Sequence, residues 1–259
     1  MSAFMFTHAL VRPPSPSLVD ALGQVPGITI DHALALQQHA AYIDALRWLG
    51  LDVVPLAPLD AHPDACFVED TAVVFGDAAL STRPGAISRR EEAHTVAWAL
   101  GNLGLSLTRM EAPATLDGGD VLRVGNTFLV GLSDRTNRAG IASLLAFANS
   151  HDPMARVIPV DMPPGLLHLK CEVSALADDA ILVVDDLVLD LPRDIRRVNV
   201  PRAEAFAANA VANGSRVLIA ADHARTADAL AAAGFEPRPL VTSEFKKAAG
   251  SLTCLSVLC

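Results

Sequence analysis

The chain has no C-x-x-C pair, no excess of Lys and Arg (20 against 29 Asp and Glu), and no run of about 20 apolar residues, and each gap argues against a class of function. Its four cysteines, Cys66, Cys171, Cys254 and Cys259, are scattered, and no Cys or His stands at zinc-site spacing. Reduced thiols fit this pattern better than a disulfide framework. A net charge of -9 argues against phosphate binding, so nucleic acid is not an expected partner. The first eight residues lack the basic region and apolar core of an export signal, and no segment is long enough to span a bilayer. The expectation is a cytoplasmic protein with no membrane partner. No linker or shift of composition marks a boundary, so residues 1–259 are read as one domain.

Hydrophobic residues make up 51% of the chain and charged residues 19%, enough apolar material for a substantial core. Three stretches share one layout of acid, apolar run, turn and second apolar run. They begin at Glu69-Asp70, Asp120 and Glu172, with turns at Gly76-Asp77, Gly125-Asn126 and Asp178-Asp179. Such turns between β-rich runs read as hairpins. The leading acids at 70, 120 and 172 stand 50 and 52 residues apart.

Helical periodicity falls between the hairpins, over residues 32–49, 88–103 and 224–233. Each stretch ends at a glycine (Gly50, Gly104, Gly234) followed by an apolar residue, as at a glycine C-cap that leads into a strand. Further helices are expected near 136–150 and 202–212. A hairpin, helix and strand unit of about 50 residues fits five times into the chain, which points to a propeller, solenoid or array. An ordinary α/β fold with chance spacing is the competing reading.

A lone cysteine is by default a small buried hydrophobe. Cys254 differs in its neighbours, because Gly250, Ser251, Thr253 and Ser256 leave room for a reacting group. A thiol nucleophile needs a proton partner. His168, where Pro163-Pro164-Gly165 leads into a strand, is the best placed of the eight histidines. In Asp117-Gly118-Gly119-Asp120, the glycines serve either a plain turn or a close backbone approach to a ligand, with Asp117 aimed into a pocket. Glu69-Asp70 holds the matching place one repeat earlier. If the repeats surround an axis, these acids converge, and carboxylates beside a thiol disfavour its thiolate unless a cation is bound. A guanidinium supplies that cation, with planar N–H groups suited to carboxylates.

Ser88-Arg89-Arg90-Glu91 has capping-box form, which puts Arg89 at the first helical position where the helix dipole disfavours a cation. Asp134-Arg135-Thr136 repeats the arrangement. Two such cations suit either a bound carboxylate or pairing with neighbouring acids.

Taken together, Phe67-Val68-Glu69-Asp70, Thr82-Arg83-Pro84-Gly85-Ala86, Leu116-Asp117-Gly118-Gly119-Asp120, Val130-Gly131-Leu132-Ser133 and Leu252-Thr253-Cys254 resemble the dimethylarginine dimethylaminohydrolases of the pentein, or guanidino-group-modifying, superfamily. The resemblance implies a five-bladed α/β propeller with a central active site. It implies Cys254 as nucleophile, His168 as general acid/base and Asp117 as the acid that binds substrate nitrogen. Asp64, Glu69 and Asp70 would line the guanidinium pocket, and Arg89 and Arg135 would hold the substrate's α-carboxylate. Leu18 would lie on a loop closing over the site, and Ala248 would offer backbone contacts. No metal or organic cofactor is implied, and the partner is a small guanidine amino acid; a homodimer is left open. The resemblance implies hydrolysis of asymmetric dimethylarginine to citrulline and dimethylamine through a covalent adduct on Cys254. Hydrolase or amidinotransferase chemistry on another guanidine, and a non-catalytic propeller that binds arginine-like ligands, are the alternatives. One departure stands out: Ala249 precedes Gly250 where an acid is common in the family.

Overall fold

The glycines behave as their positions require. In a computed structural model, which describes residues 5–25, 27–189 and 195–259, Gly50, Gly104 and Gly234 adopt φ of 88°, 91° and 90°. Around Gly50, its N–H donates to the Arg47 carbonyl (2.9 Å) and the Leu51 N–H to that of Leu46 (3.2 Å), and the pattern recurs at Gly104 and Gly234. These are Schellman ends, which only a left-handed residue closes without strain. They turn each helix into the next strand. Residues 1–4, read above as lacking an export signal, lie outside the described residues.

Unit one holds β1 (His8–Val11), α1 (His32–Trp48) and β2 (Asp52–Pro55); unit two holds β3 (Ala72–Phe75), β4 (Ala78–Ser81), α2 (Glu92–Asn102) and β5 (Ser106–Arg109). Unit three holds β6 (Val121–Val124), β7 (Thr127–Leu132), α3 (Arg138–His151) and β8 (Arg156–Asp161). Unit four holds β9 (Val173–Ala177), β10 (Ala180–Val184) and β11 (Arg196–Val200). Unit five holds β12 (Val211–Asn213), β13 (Arg216–Ala220), α4 (Ala224–Ala232) and β14 (Glu236–Leu240), after which come α5 (Ser243–Lys247) and β15 (Ser256–Leu258). Among the described residues, the fifteen strands form five three-stranded sheets, one per unit. The last strand joins the first unit: β15 runs antiparallel to β1, with Leu10 opposite Val257. The chain's two ends thus close a ring.

In each sheet the central strand is antiparallel to the inner strand and parallel to the outer one, as in β4 between β3 and β5. The central strands β4 and β10 are buried throughout, whereas every residue of β5 is exposed. A strand covered on both faces reads as a continuous apolar run, which is why Ala180–Val184 has no polar alternation. The architecture is a five-bladed α/β propeller. Among the described residues, no helix is long and apolar enough to cross a membrane.

Two expected elements differ. Residues 202–212 form no α-helix: a 3-10 turn, Arg202–Ala208, breaks at Glu204, and β12 follows. The Ser174 hydroxyl donates to the Ala208 carbonyl and accepts from the Ala210 N–H (2.7 and 2.8 Å), which takes both groups out of a helical ladder. The helix expected from residue 88 begins at Glu92 instead, after a 3-10 turn Ile87–Arg89, and no side chain caps it. Ser88 is therefore no N-cap. The Arg89 side chain is drawn inward by buried acids, and that contact outweighs a capping box, worth ~1 kcal/mol.

Each inner strand is entered through a short turn near the axis: residues 68–71, 118–120, 169–171, 202–208 and 253–255. The turn 68–71 touches those at 253–255 and 118–120, and 169–171 touches those at 118–120 and 202–208. All of the candidate chemistry sits on them or beside them.

Candidate active site

Asp117 is fully buried just before the 118–120 turn. One carboxylate oxygen accepts from the Gly85 N–H (2.9 Å), and the other lies 3.1 Å from His168 Nε2. Asp70 stands on the other side of the imidazole, 3.9 Å from Nδ1. Its oxygens also accept from the Gly119 N–H (2.9 Å) and from Arg89 (2.5 Å). A Cβ on Gly119 would lie 2.6 Å from His168 Nδ1 and 2.9 Å from the Asp70 carboxylate. The glycine pair is thus there so that the turn can pack against the protein's own groups, Glu69, Asp70 and His168. Gly118 is pressed as closely, its Cβ position falling 2.0 Å from the Glu69 carbonyl.

Two carboxylates around one imidazole decide its charge. Burial by itself lowers the His168 pKa, but Asp70, the hydrogen bond to Asp117 and the charge of Asp120 raise it to about 9. His168 is an imidazolium at neutral pH. Asp70 is held below its ordinary value, because His168 and Arg89 outweigh the effect of burial. Asp70, Asp117 and His168 offer ligand atoms within 4.8 Å of one another, the only such grouping among the described residues. A protonated imidazole has no free lone pair, so at neutral pH the trio is an ion-pair network and a poor metal site.

Cys254 lies on the 253–255 turn, and its thiol is pushed well above the ordinary range by burial and then by Glu69 and Asp70. The resting site holds a thiol and an imidazolium. A ligand cation is what would shift that balance toward the thiolate.

Cys254, His168, Asp117, Asp70 and Asp64 line one cavity of about 240 Å³, together with Arg89, Arg135 and Ala248. Asp64 accepts from the Leu22 N–H, and burial raises its pKa while Arg89 and Arg135 pull it down. The Ala248 N–H is taken by Phe245 (3.0 Å), which leaves its carbonyl as the backbone group on offer. The two arginines differ. Arg89, 4% exposed, donates to Asp70, to Glu92 and to the carbonyls of Asp64 and Phe67. Losing one partner of such a buried pair costs about 3–5 kcal/mol, so this guanidinium is committed to the fold. Arg135 is half-buried, and its guanidinium has no hydrogen-bond or ion-pair partner among the described residues.

A dimethylarginine dimethylaminohydrolase of Streptomyces coelicolor is 43% identical over 251 residues, covering 96% of this chain and 95% of the relative. The chain belongs to the dimethylarginine dimethylaminohydrolase family. A family model described as arginine deiminase matches residues 102–236. A cysteine-to-serine mutant of the Pseudomonas aeruginosa enzyme, complexed with citrulline, superposes with a TM-score of 0.91 at 34% identity, covering 99% of this chain and 100% of that one. A histidine-to-glycine dimethylarginine dimethylaminohydrolase, solved as its adduct with S-methyl-L-thiocitrulline, also gives 0.91 at 34% identity, covering 98% and 100%.

Within the family frame, two expected site residues are placed elsewhere. Leu18 is fully buried in the core on the 3-10 turn Pro16–Asp20, and Leu22 and Gly23 line the cavity instead. Burying a leucine is worth about 1.5–3 kcal/mol, which favours Leu18 inside and the chain crossing the site four residues later. Glu69 is absent from this cavity. Its carboxylate faces the opposite side of the axis, on Lys170 Nζ (2.5 Å) and the Thr253 hydroxyl (2.7 Å).

Sequence reasoning gave Asp120 no role beyond leading a strand. It accepts from Ser133 and Thr136 (2.6 and 2.7 Å) and from the Leu169 N–H (3.1 Å), which ties the loop of Arg135 to the turn after His168. Its repeat position and the hydroxyls at 133 and 136 were the available signals.

The charge of His168 is directly measurable. In the ligand-free protein, NMR titration of its ring should give a midpoint near 9, and Asp70→Asn should lower it. A folded-state pKa above about 6.5 means that the group stabilises the fold fully below that pH. This contribution is lost as pH rises through about 9. A ring that titrates at or below about 6.5 would contradict the network.

Proposed function

We propose that this chain is a dimethylargininase: it hydrolyses asymmetric dimethylarginine to citrulline and dimethylamine through a covalent adduct on Cys254, with residues 1–259 as one catalytic domain. The observation that carries this reading is a thiol and an imidazolium lining one cavity with the carboxylates of Asp64, Asp70 and Asp117, Arg89 and Arg135 standing beside them. A thiol so placed is disfavoured as thiolate until a cation arrives, and a guanidinium is a cation whose N–H groups those carboxylates accept. The relatives' names and their citrulline and thiocitrulline complexes support it. Four free thiols fit a reducing compartment, and we place the enzyme in the cytoplasm.

The steps follow from the charges. The bound cation favours loss of the Cys254 proton to solvent water, since His168 is already protonated, and the thiolate adds to the central guanidinium carbon. His168 donates its proton to the nitrogen carrying the methyl groups, the C–N bond breaks and dimethylamine departs. The planar thiouronium left on Cys254 is a cation, which the surrounding carboxylates stabilise. Neutral His168 then takes a proton from water, the hydroxide adds to the same carbon, and expulsion of the sulfur releases citrulline. Asp117 and Asp70 hold the ring so that it can alternate between the two forms.

Arg135 is the cation free to meet the α-carboxylate, with Arg89 lending at most the N–H that its internal contacts spare. A charge-assisted contact contributes about 1.5–3 kcal/mol, so Arg135→Met should raise KM about 10- to 100-fold and change kcat little. Equal losses in kcat would move Arg135 out of ground-state binding.

The test of the reading is to incubate the protein separately with asymmetric dimethylarginine, arginine and agmatine and to assay ureido product. Citrulline from dimethylarginine is the expected result. Product from arginine alone, or from agmatine alone, would reassign the substrate, and no product from any of them would overturn the hydrolase reading.

A further inference from the structure

The axis holds two cavities. The second, of about 160 Å³, is lined by Glu69, Gly118, Lys170 and Thr253 along with apolar residues of the inner strands. These four each stand three residues before their inner strand, whereas Asp70 and Cys254 stand two before theirs and face the first cavity. Consecutive residues of these turns thus line different cavities. Cys254 and His168 work in one, and Thr253 and Lys170 are held at the other.

The holding groups form a circuit. Lys170 Nζ donates to one oxygen of Glu69 (2.5 Å), and the Thr253 hydroxyl donates to the other (2.7 Å). Asn209, 2% exposed and just ahead of β12, closes the loop. Its side-chain N–H groups donate to the Lys170 carbonyl (2.8 Å) and the Thr253 hydroxyl (3.0 Å), and its oxygen accepts the Thr253 N–H (2.8 Å). One amide thereby joins the turn that follows His168 to the turn that bears Cys254. Residues 253–255 make a single 3-10 turn, whose closing bond from the Leu255 N–H to the Leu252 carbonyl is long at 3.3 Å. Short 3-10 pieces have poor hydrogen-bond geometry and take their orientation from what surrounds them.

We propose that Asn209, acting through Thr253 and Lys170, is a positioning residue that fixes the nucleophile turn relative to the acid/base turn. This proposal rests on the hydrolase reading above. Asn209 lines neither wall of the substrate cavity and cannot act on substrate directly. A displacement of about 1 Å between reacting groups costs on the order of 100-fold, so the loss of this amide should appear in kcat.

Asn209→Leu keeps the volume and removes all three hydrogen bonds. It should lower kcat for dimethylarginine about 10- to 100-fold and leave KM within about twofold. Thr253→Val should lose a comparable factor, Thr253→Ser should recover most of it, and the Asn209→Leu/Thr253→Val double variant should lose less than the product of the two, because one circuit is broken twice. The rate and pH dependence of Cys254 alkylation by iodoacetamide should change in the same variants. Unchanged kcat in folded Asn209→Leu, or a loss carried by KM, would overturn the proposal. If that variant does not fold, the Thr253→Val and Thr253→Ser pair decides: equal kcat in both overturns it. Should the wild type turn over none of the guanidines, the hydrolase reading fails, and alkylation still tests the circuit: rates identical to wild type in the variants would reject it.

Discussion

Cys254→Ser should abolish production of citrulline while the protein still binds its ligand. The serine oxygen takes the place of the sulfur, but a hydroxyl is a far weaker nucleophile than a thiolate. The site also offers it no base at rest, because His168 is already protonated. Removing the nucleophile of a covalent hydrolase typically lowers kcat by about 10⁴- to 10⁶-fold, and the same range is expected here. Binding should survive, because the walls of the cavity that meet the guanidinium and the carboxylate are untouched. The Pseudomonas aeruginosa relative makes this concrete, since its cysteine-to-serine mutant was obtained with citrulline bound. Calorimetry on Cys254→Ser would give a dissociation constant free of turnover, and a coupled assay would give the residual rate. A residual rate above about 1% would rule out Cys254 as the nucleophile; loss of binding together with activity would point to a structural role. Cys259, at the end of β15, provides a control, and its serine variant should work at nearly the wild-type rate.

The parts of the site legible in the sequence are those whose signal is local. The 50-residue spacing of Asp70 and Asp120 approximates the 49-residue step from Ala72 to Val121 at which the two hairpins start, and both acids sit in the turns that enter the inner strands. Glu172 has the same place in the pattern but pairs with Arg202 instead, and Lys170 faces the axis. A shift of one or two residues within a turn changes the side on which a side chain emerges, and spacing in sequence does not resolve a shift that small. The same one-residue step separates Asp70 in the substrate cavity from Glu69 in the opposite one. The cap expected at Ser88 failed for a different reason. A capping box is a local motif, whereas the burial of Arg89 between Asp70 and Glu92 depends on the turn before β3, 19 residues earlier, packing against the start of α2. Asn209 had no local signal at all. Its partners lie 39 and 44 residues away, so only the closed ring reveals what it joins.

His168→Gly should separate the two halves of the reaction by leaving group. With dimethylarginine the departing group is an amine, which must take a proton as the C–N bond breaks. General acid catalysis is worth about 10²- to 10⁴-fold, so turnover should fall by that factor. With S-methyl-L-thiocitrulline the departing group is a thiolate, which leaves without a proton. The first half then proceeds, but the second half still lacks a base to activate water. An adduct should accumulate on Cys254, visible as a mass increase on the intact protein and absent in Cys254→Ser. A histidine-to-glycine relative was solved as an adduct with this compound, which is the state expected here. Loss of the imidazolium also leaves Asp117 and Asp70 without the charge between them, though Gly85 and Gly119 N–H groups and Arg89 still serve their oxygens. The variant should therefore fold, and added imidazole should restore part of the turnover by occupying the vacated space. If His168→Gly turned over both substrates at nearly the wild-type rate, with no adduct detected, His168 would be confined to electrostatics and the proton would have to come from elsewhere.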